Sequence, residues 1–293
     1  MINIITVEKI NEGLFRDTYG KPCIAWHTIE HQTDRVMLNR MHVHDCYEIH
    51  YTLTDNTVYK VDGRTYTANK GSVSVFNKNE IHGIFPPVGT NFERYVLLFN
   101  HNFIHDITAL YPEILDIFHN RYLGFVNCLP LTTAQHEELG YLMNKTVKLY
   151  ISHQTRMTEL ACKLTICEIL RFLREVFLSY DENIYPINYA SLDKIKSIMD
   201  YIKNNLSNDL QIETLSKKFF VSKTNLRVSF MKSLGMTPKQ YITFCRIMKA
   251  RELLTEGKPV FTVSEKVGYC DESNFIRTFK NLVGTTPKEY SLR

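Results

Sequence analysis

From about residue 36 to residue 100 the chain is written in short runs of alternating apolar and polar residues, cut by clusters of turn formers. In "TVYKVDGRTYTA", Asp62-Gly63 sits between two β-rich runs, the pattern of a two-residue hairpin turn. "GSVSVFN" and "ERYVLLFN" predict further strands, separated by "NKNE" and "PPVGT". No helical period fits this region, whereas a compact β-sandwich or barrel does. After Asn100 the period changes. "TTAQHEELGYLMNKTVKLY" and "RMTELACKLTICEILRFLREVFLSY" predict two long helices, the second with an apolar stripe of Leu160, Leu164, Cys167, Leu170, Leu173 and Phe177. Ile169, Phe172 and Leu178 widen that stripe, so the helix is either sandwiched within its domain or partly covered by a second subunit. "DENIYPINY" then breaks the pattern with acids, Asn and Pro186, as a linker does.

The last hundred residues contain one phrase twice, "KSLGMTPKQY" ending at Tyr241 and "NLVGTTPKEY" ending at Tyr290. Placing Gly235 on Gly284 aligns Asn225 with Asn274, Phe230 with Phe279 and Thr-Pro-Lys with Thr-Pro-Lys. Each copy predicts a short helix, a tight turn and a second helix: Gln211 to Phe219 and Ser222 to Leu234, then Phe261 to Val267 and Asp271 to Val283. Ser222 and Asp271 are N-cap residues, and Gly235 and Gly284 are positioned to stop the second helices. Thr-Pro then opens the next helix with proline where no N–H is needed. Between the copies "PKQYITFCRIMKARELLTEG" reads as one continuous helix, whose length of ~27 Å approaches the ~34 Å between successive major grooves on one face of B-DNA.

Charge supports this division. From Ser191 onward there are 18 Lys and Arg against 10 Asp and Glu, a net of +8, while the first 190 residues hold 17 against 21, a net of −4. A basic module attached to a mildly acidic one points to a polyanion as partner of the C-terminal part alone.

The segment from about Ser191 to Arg293 resembles the DNA-binding domain of AraC/XylS-type transcriptional regulators, most closely in "VGYCDESNFIRTFKNLVGTTPKEY" with "RIMKARELL" before it. Three positions depart from the family pattern: Phe220 stands where glycine is usual in the turn, and Val228 and Met231 replace the usual Arg and Lys. Helical spacing turns Leu226, Phe230, Phe275 and Phe279 inward and leaves Lys223, Thr224, Arg227, Ser273, Asn274, Arg277 and Lys280 outward. Arg227 and Arg277 are the candidates for base contacts, because a guanidinium bonds bidentately to guanine. Lys223, Lys280 and Lys288 suit phosphates.

In the β-rich part, "RMHVHDCYEIHY" projects Arg40, His42 and His44 from one face of an extended strand, with Glu48 and His50 following. His42-x-His44-x3-Glu48, with Gly71-x10-His82 downstream, resembles the two motifs of the cupin barrel, although Asp55 is nearest the position of the usual glycine and Asn77 and Asn79 stand for Pro and Gly. In metal-binding cupins these four positions hold a metal, and three imidazoles with a carboxylate suit Zn, Fe or Mn. The alternative reading lines a pocket for a polar small molecule with Trp26, Arg40, His42, His44, Glu48 and His82. The resemblance to AraC-type regulators implies the second, with a sugar or related metabolite as effector and no cofactor.

The expected architecture is therefore multidomain α+β: a cupin-like β-barrel or sandwich with following helices over 1–182 (helical part about 102–180), a linker over 183–190, and an all-α domain with two helix-turn-helix units over 191–293. Scattered cysteines, seven in all and none in a CxxC pair, are the pattern of reduced thiols. No apolar run suits a membrane span and "MINIITVEKINEGLF" lacks a signal layout, so a cytoplasmic protein is expected. No phosphate-binding glycine loop or nucleophile elbow occurs, and no enzymatic activity is expected. The expected partners are double-stranded DNA, an effector and a second copy of the chain, with RNA polymerase and promoter activation implied by the family resemblance. A cupin enzyme tethered to DNA, or a barrel serving only protein interaction, are the rival readings.

Overall fold

The computed structural model describes residues 15–16, 21–32, 41–61, 64–78, 80–119, 127–152, 155–179, 193–234 and 236–292. The predicted turn Asp62-Gly63, Arg40, Asn79, the linker 183–190 and Gly235 lie outside them. The chain divides into two compact units, essentially residues 16–187 and 188–293.

The first unit is built on β1 (Phe15–Arg16), β2 (Cys23–His31), β3 (Val43–His44), β4 (Tyr47–Thr52), β5 (Thr57–Val61), β6 (Arg64–Ala68), β7 (Ser72–Phe76), β8 (His82–Phe85), β9 (Asn91–Phe99) and, later in the chain, β10 (Cys128–Pro130). Two short helices, α1 (His105–Thr108) and α2 (Asp116–His119), precede β10, and two long ones, α3 (Thr133–Ile151) and α4 (Arg156–Leu178), follow it. A five-stranded sheet runs β10-β7-β4-β9-β2, a three-stranded sheet runs β6-β5-β8, and β1 pairs with β3. The strands predicted from alternation are present, and the period of two decides what each face does. Tyr47, Ile49 and Tyr51 of β4, with Val73, Val75, Leu97 and Phe99, join the core that includes Leu139, Leu142, Ile166 and Leu170 of α3 and α4. Tyr51 hydroxyl meets the His136 ring of α3, and Tyr47 meets His119 of α2 at 2.9 Å. The opposite face of β4 looks at the smaller sheet: Glu48 reaches His82 of β8 and His50 reaches Tyr59 of β5.

Thr132 and Thr155 start α3 and α4 with capping boxes, each side chain accepting from the N3 backbone. The buried face of α4 is Cys162, Ile166, Ile169, Leu170, Leu173, Val176 and Phe177. This corrects the expected stripe at its N-terminal end. Leu160 and Leu164 lie 43% and 56% exposed, and Leu178 also faces solvent.

The second unit contains α5 (Asp193–Asn204), α6 (Ile212–Phe219), α7 (Lys223–Leu234), α8 (Pro238–Thr255), α9 (Val260–Lys266), α10 (Glu272–Val283) and α11 (Pro287–Ser291). Both helix-turn-helix units have the predicted bounds to within a residue. Thr237 and Thr286 form capping boxes with Gln240 and Glu289, so the duplicated Thr-Pro phrase does the same work twice. Ile247, Ala250, Leu253 and Leu254 of α8 pack on Val263, Val267, Phe275 and Phe279 of the second pair. Against the first pair, Phe230 meets Tyr241 edge to face, with centroids 5.6 Å apart. Arg251, buried in α8, donates from Nε to the Tyr290 hydroxyl at 3.0 Å and fixes α11. No helix among the described residues is long and apolar enough to cross a membrane.

Candidate nucleic-acid interface and buried polar cluster

On α10 the first turn is held by Asp271, whose carboxylate accepts from the backbone N–H of Ser273 at 3.0 Å and of Asn274 at 3.2 Å. Phe275 and Phe279 are fully buried, which fixes the helix about its axis. Ser273, Asn274, Arg277 and Lys280 are consequently exposed together, and Lys288 of α11 is exposed too. Glu272, on the outward side by spacing, is half-buried. Arg277 Nη2 donates to Asn274 Oδ1 at 3.3 Å, which pairs the two side chains suited to base edges.

In α7, Leu226 and Phe230 are buried, and Lys223, Thr224 and Arg227 are exposed as expected. Val228 and Met231 are 59% and 49% exposed, so apolar surface occupies two outward positions of this helix. Lys223 Nζ is tied to Glu213 of α6. Phe220, in the turn, has φ +52° and is 91% exposed, the left-handed backbone that glycine ordinarily supplies.

In the first unit the structure brings His42, His44, Glu48 and His82 together, although three strands, β5 to β7, separate His82 from the other three in the chain. A backbone bridge joins His42 to His82, with N–H···O distances of 2.7 and 2.9 Å. Glu48 Oε2 lies 3.0 Å from His44 Nε2 and 3.0 Å from His82 Nε2. All four residues are buried and each offers one ligand atom, these atoms lying within 4.8 Å of one another. Burial alone would push the Glu48 carboxyl up, but the fields and hydrogen bonds of His44 and His82 together outweigh it and hold it well below the carboxylate range. His82 Nδ1 donates to the Glu80 carbonyl at 2.9 Å and stacks on Phe76, so its Nε2 is aimed at the cluster. Three imidazoles and a carboxylate at these separations, with an oriented ring, fit a tetrahedral metal whose ligand atoms stand ~3.4 Å apart.

The same face carries polar residues that the spacing of the motifs did not single out. Cross-strand register sets Thr28 opposite Arg94 and Arg94 opposite Thr52, and on the neighbouring rung Trp26 opposite Val96 and Val96 opposite His50. Arg94 is 4% exposed, donates from Nη2 to Glu30 Oε1 at 3.3 Å and covers the Phe92 ring. His50 takes Tyr59 hydroxyl at Nδ1, 2.7 Å away, and burial followed by the nearby Arg94 pushes its pKa down to about 3. Trp26 Nε1, Thr28 Oγ1, His50 Nε2 and Arg94 Nη1 are buried with no hydrogen-bond partner among the described residues. The Trp26 ring, half-buried, rests on Cys46, Val96 and Leu98. A signal for Arg94 was present in "ERYVLLFN", where the arginine has the parity of Phe92 and Val96 and so must face inward.

Comparison with known proteins agrees with this organisation. A family model described as an AraC-like ligand binding domain matches residues 27–155, and one described as a helix-turn-helix domain matches residues 215–293. An uncharacterized HTH-type transcriptional regulator of Staphylococcus aureus is 30% identical over 162 residues, which are 54% of this chain and 21% of that protein. The chain thus spans about a fifth of the length of the Staphylococcus aureus relatives it matches. The probable transcriptional regulator LumQ of Photobacterium leiognathi is 26% identical over 118 residues, 40% of this chain and 45% of that one. Among solved structures, ToxT of Vibrio cholerae O395 aligns with 92% of this chain and 97% of its own at 15% identity, with a TM-score of 0.37. With both segments matched in that order along one chain, the protein resembles AraC-type transcriptional regulators in an AraC-like ligand-binding segment followed by a helix-turn-helix segment.

Proposed function

We propose that the protein is a sequence-specific DNA-binding transcription regulator of the cytoplasm, governed by a small effector taken up on the inward polar face of its cupin-like first unit. The observation that carries the reading is α10: an Asp271-capped helix, locked by Phe275 and Phe279, that presents Asn274 and Arg277 outward as a pair. Lys280 and Lys288, exposed on α10 and α11, suit contacts to phosphates, and Arg227 with Thr224 offers a second, less polar contact through α7. The helix α8 that joins the two readers has 18 residues and so a length of ~27 Å, which suits a chain that addresses two successive major grooves. Activation of a neighbouring promoter, through RNA polymerase, follows the family resemblance.

A homodimer is part of the proposal. Met157, Leu160 and Leu164 form an exposed apolar stripe at helical spacing on α4, and a second copy would cover it. Two linked DNA-binding units gain avidity when their spacing matches the operator, which makes dimer geometry the point at which an effector acts.

The four-residue cluster favours a second reading for the first unit, in which a divalent ion on His42, His44, Glu48 and His82 carries or completes the effector site. Metal analysis of the purified full chain separates the two: one equivalent of metal, lost in His44→Ala, favours the ion, and metal-free protein with effector binding intact favours plain hydrogen bonding. The DNA-binding reading is tested by gel shift of the full chain on duplexes from its own flanking DNA. Indifference to every duplex at low salt would end it.

A further inference from the structure

Resting on the effector reading above, we infer that the effector is a small monocarboxylate, held by Arg94 with Thr28, Trp26 and His50 around it. Four buried polar atoms on this face lack partners among the described residues, and two of them, Arg94 Nη1 and Trp26 Nε1, can only donate. Thr28 Oγ1 and His50 Nε2 can donate as well. Such a set calls for an acceptor-rich group. Buried polar atoms in folded proteins are almost always paired, so four on one face mark a place where a ligand completes the hydrogen bonding.

The register brings them into one patch. Thr28 and Arg94 are directly opposed, and Trp26 and His50 flank Val96 on the next inward rung. Opposed side chains start ~5 Å apart and inward neighbours along a strand ~7 Å apart, so a group the size of a carboxylate with a short body reaches all four. Arg94 supplies the charge. The residue is 4% exposed, and among the described residues its one carboxylate partner is Glu30, engaged through one nitrogen at 3.3 Å. A planar carboxylate matches the two-pronged donor edge of a guanidinium. A dianionic phosphate fits less well, because Glu30 and Glu48 lie on the same face and would repel it. A neutral sugar would leave the charge of Arg94 poorly answered, so the donor set favours an acid, sugar acids included, over the neutral sugar expected from the sequence.

The test is calorimetric titration of the full chain with hexanoate, gluconate, their primary amides, glucose and glucose 6-phosphate. A carboxylate should bind, its amide should bind ~10–100-fold more weakly, and Arg94→Gln should weaken the acid by a similar factor with its circular dichroism unchanged. Arg94→Lys, which keeps the charge without the fork, should fall between them, and Thr28→Val should weaken the acid less than Arg94→Gln does. Binding of glucose or the amides as tightly as the acids, equal in Arg94→Gln, would overturn the acid class while leaving an effector site standing. Preference for the phosphate ester, or no binding of either acid, would also overturn it. Acid binding at Arg94 that leaves duplex affinity unchanged would instead defeat the regulatory reading and spare the site.

Discussion

The carbonyl oxygen of Leu206 stands 2.2 Å from where a Cβ on Gly268 would sit. Gly268 has φ +87°, and the guanidinium of Arg246 donates to that same Leu206 carbonyl at 3.1 Å and to the Asn208 carbonyl at 3.3 Å. Thus the turn of the second helix-turn-helix is set against the segment between α5 and α6 of the first, and only a residue without a side chain permits it. Gly268→Ala should cost more than the ~1–2 kcal/mol of left-handed backbone alone, because the carbonyl must also retreat. Denaturant unfolding of the full chain checks this, and unchanged stability would mean that Leu206 is not where the structure has it.

Phe220 presents the opposite case. It occupies left-handed backbone with its ring 91% exposed, so it bears strain without packing in return. Phe220→Gly should relieve ~1–2 kcal/mol of backbone cost and give back ~0.4–1 kcal/mol through a freer unfolded chain, for a net gain of ~0–1.6 kcal/mol. Thermal unfolding and duplex affinity should be measured together. A more stable variant that binds DNA more weakly would mean that the ring touches the duplex.

Arg277 and Lys280 are three residues apart on one exposed face, yet their substitutions should read out differently. Arg277→Ala should cost ~1–3 kcal/mol on the cognate duplex and flatten the base preference at one position. Lys280→Ala should weaken all duplexes alike and lower the salt slope by about one. Wild-type affinity in Arg277→Ala would show that α10 meets the groove in another orientation.

Leu164, 56% exposed on α4, tests the dimer. Leu164→Lys should leave the unit folded, since surface substitutions usually stay within ~0.5 kcal/mol, while shifting the full chain toward monomer. Sedimentation velocity at several concentrations distinguishes this from a stripe with no role in association, for which the two proteins would sediment alike.

Much of this protein was readable from the order of its residues. Period-two alternation from about 36 to 100 foretold the strands, and the Gly-x-Thr-Pro-Lys-x-Tyr repeat foretold two helix-turn-helix units, because caps, turns and amphipathic faces depend on neighbours a few residues away. The exposed set Ser273, Asn274 and Arg277 followed from helical spacing around Phe275 and Phe279. Spacing failed at Leu160 and Leu164: at that end of α4 the buried residues are Cys162, Thr165 and Ile166, and 3.6 residues per turn carries Leu160 and Leu164 round to the opposite side of the helix. Parity told which face Arg94 and His50 occupy. It could not tell which rung of β2 lies opposite which rung of β9, because register is fixed by pairing across the sheet. The meeting of Thr28 with Arg94, and of His42 and Glu48 with His82, therefore belongs to the tertiary structure, where residues far apart in the chain share one buried and mostly apolar surrounding and must answer one another's hydrogen bonds.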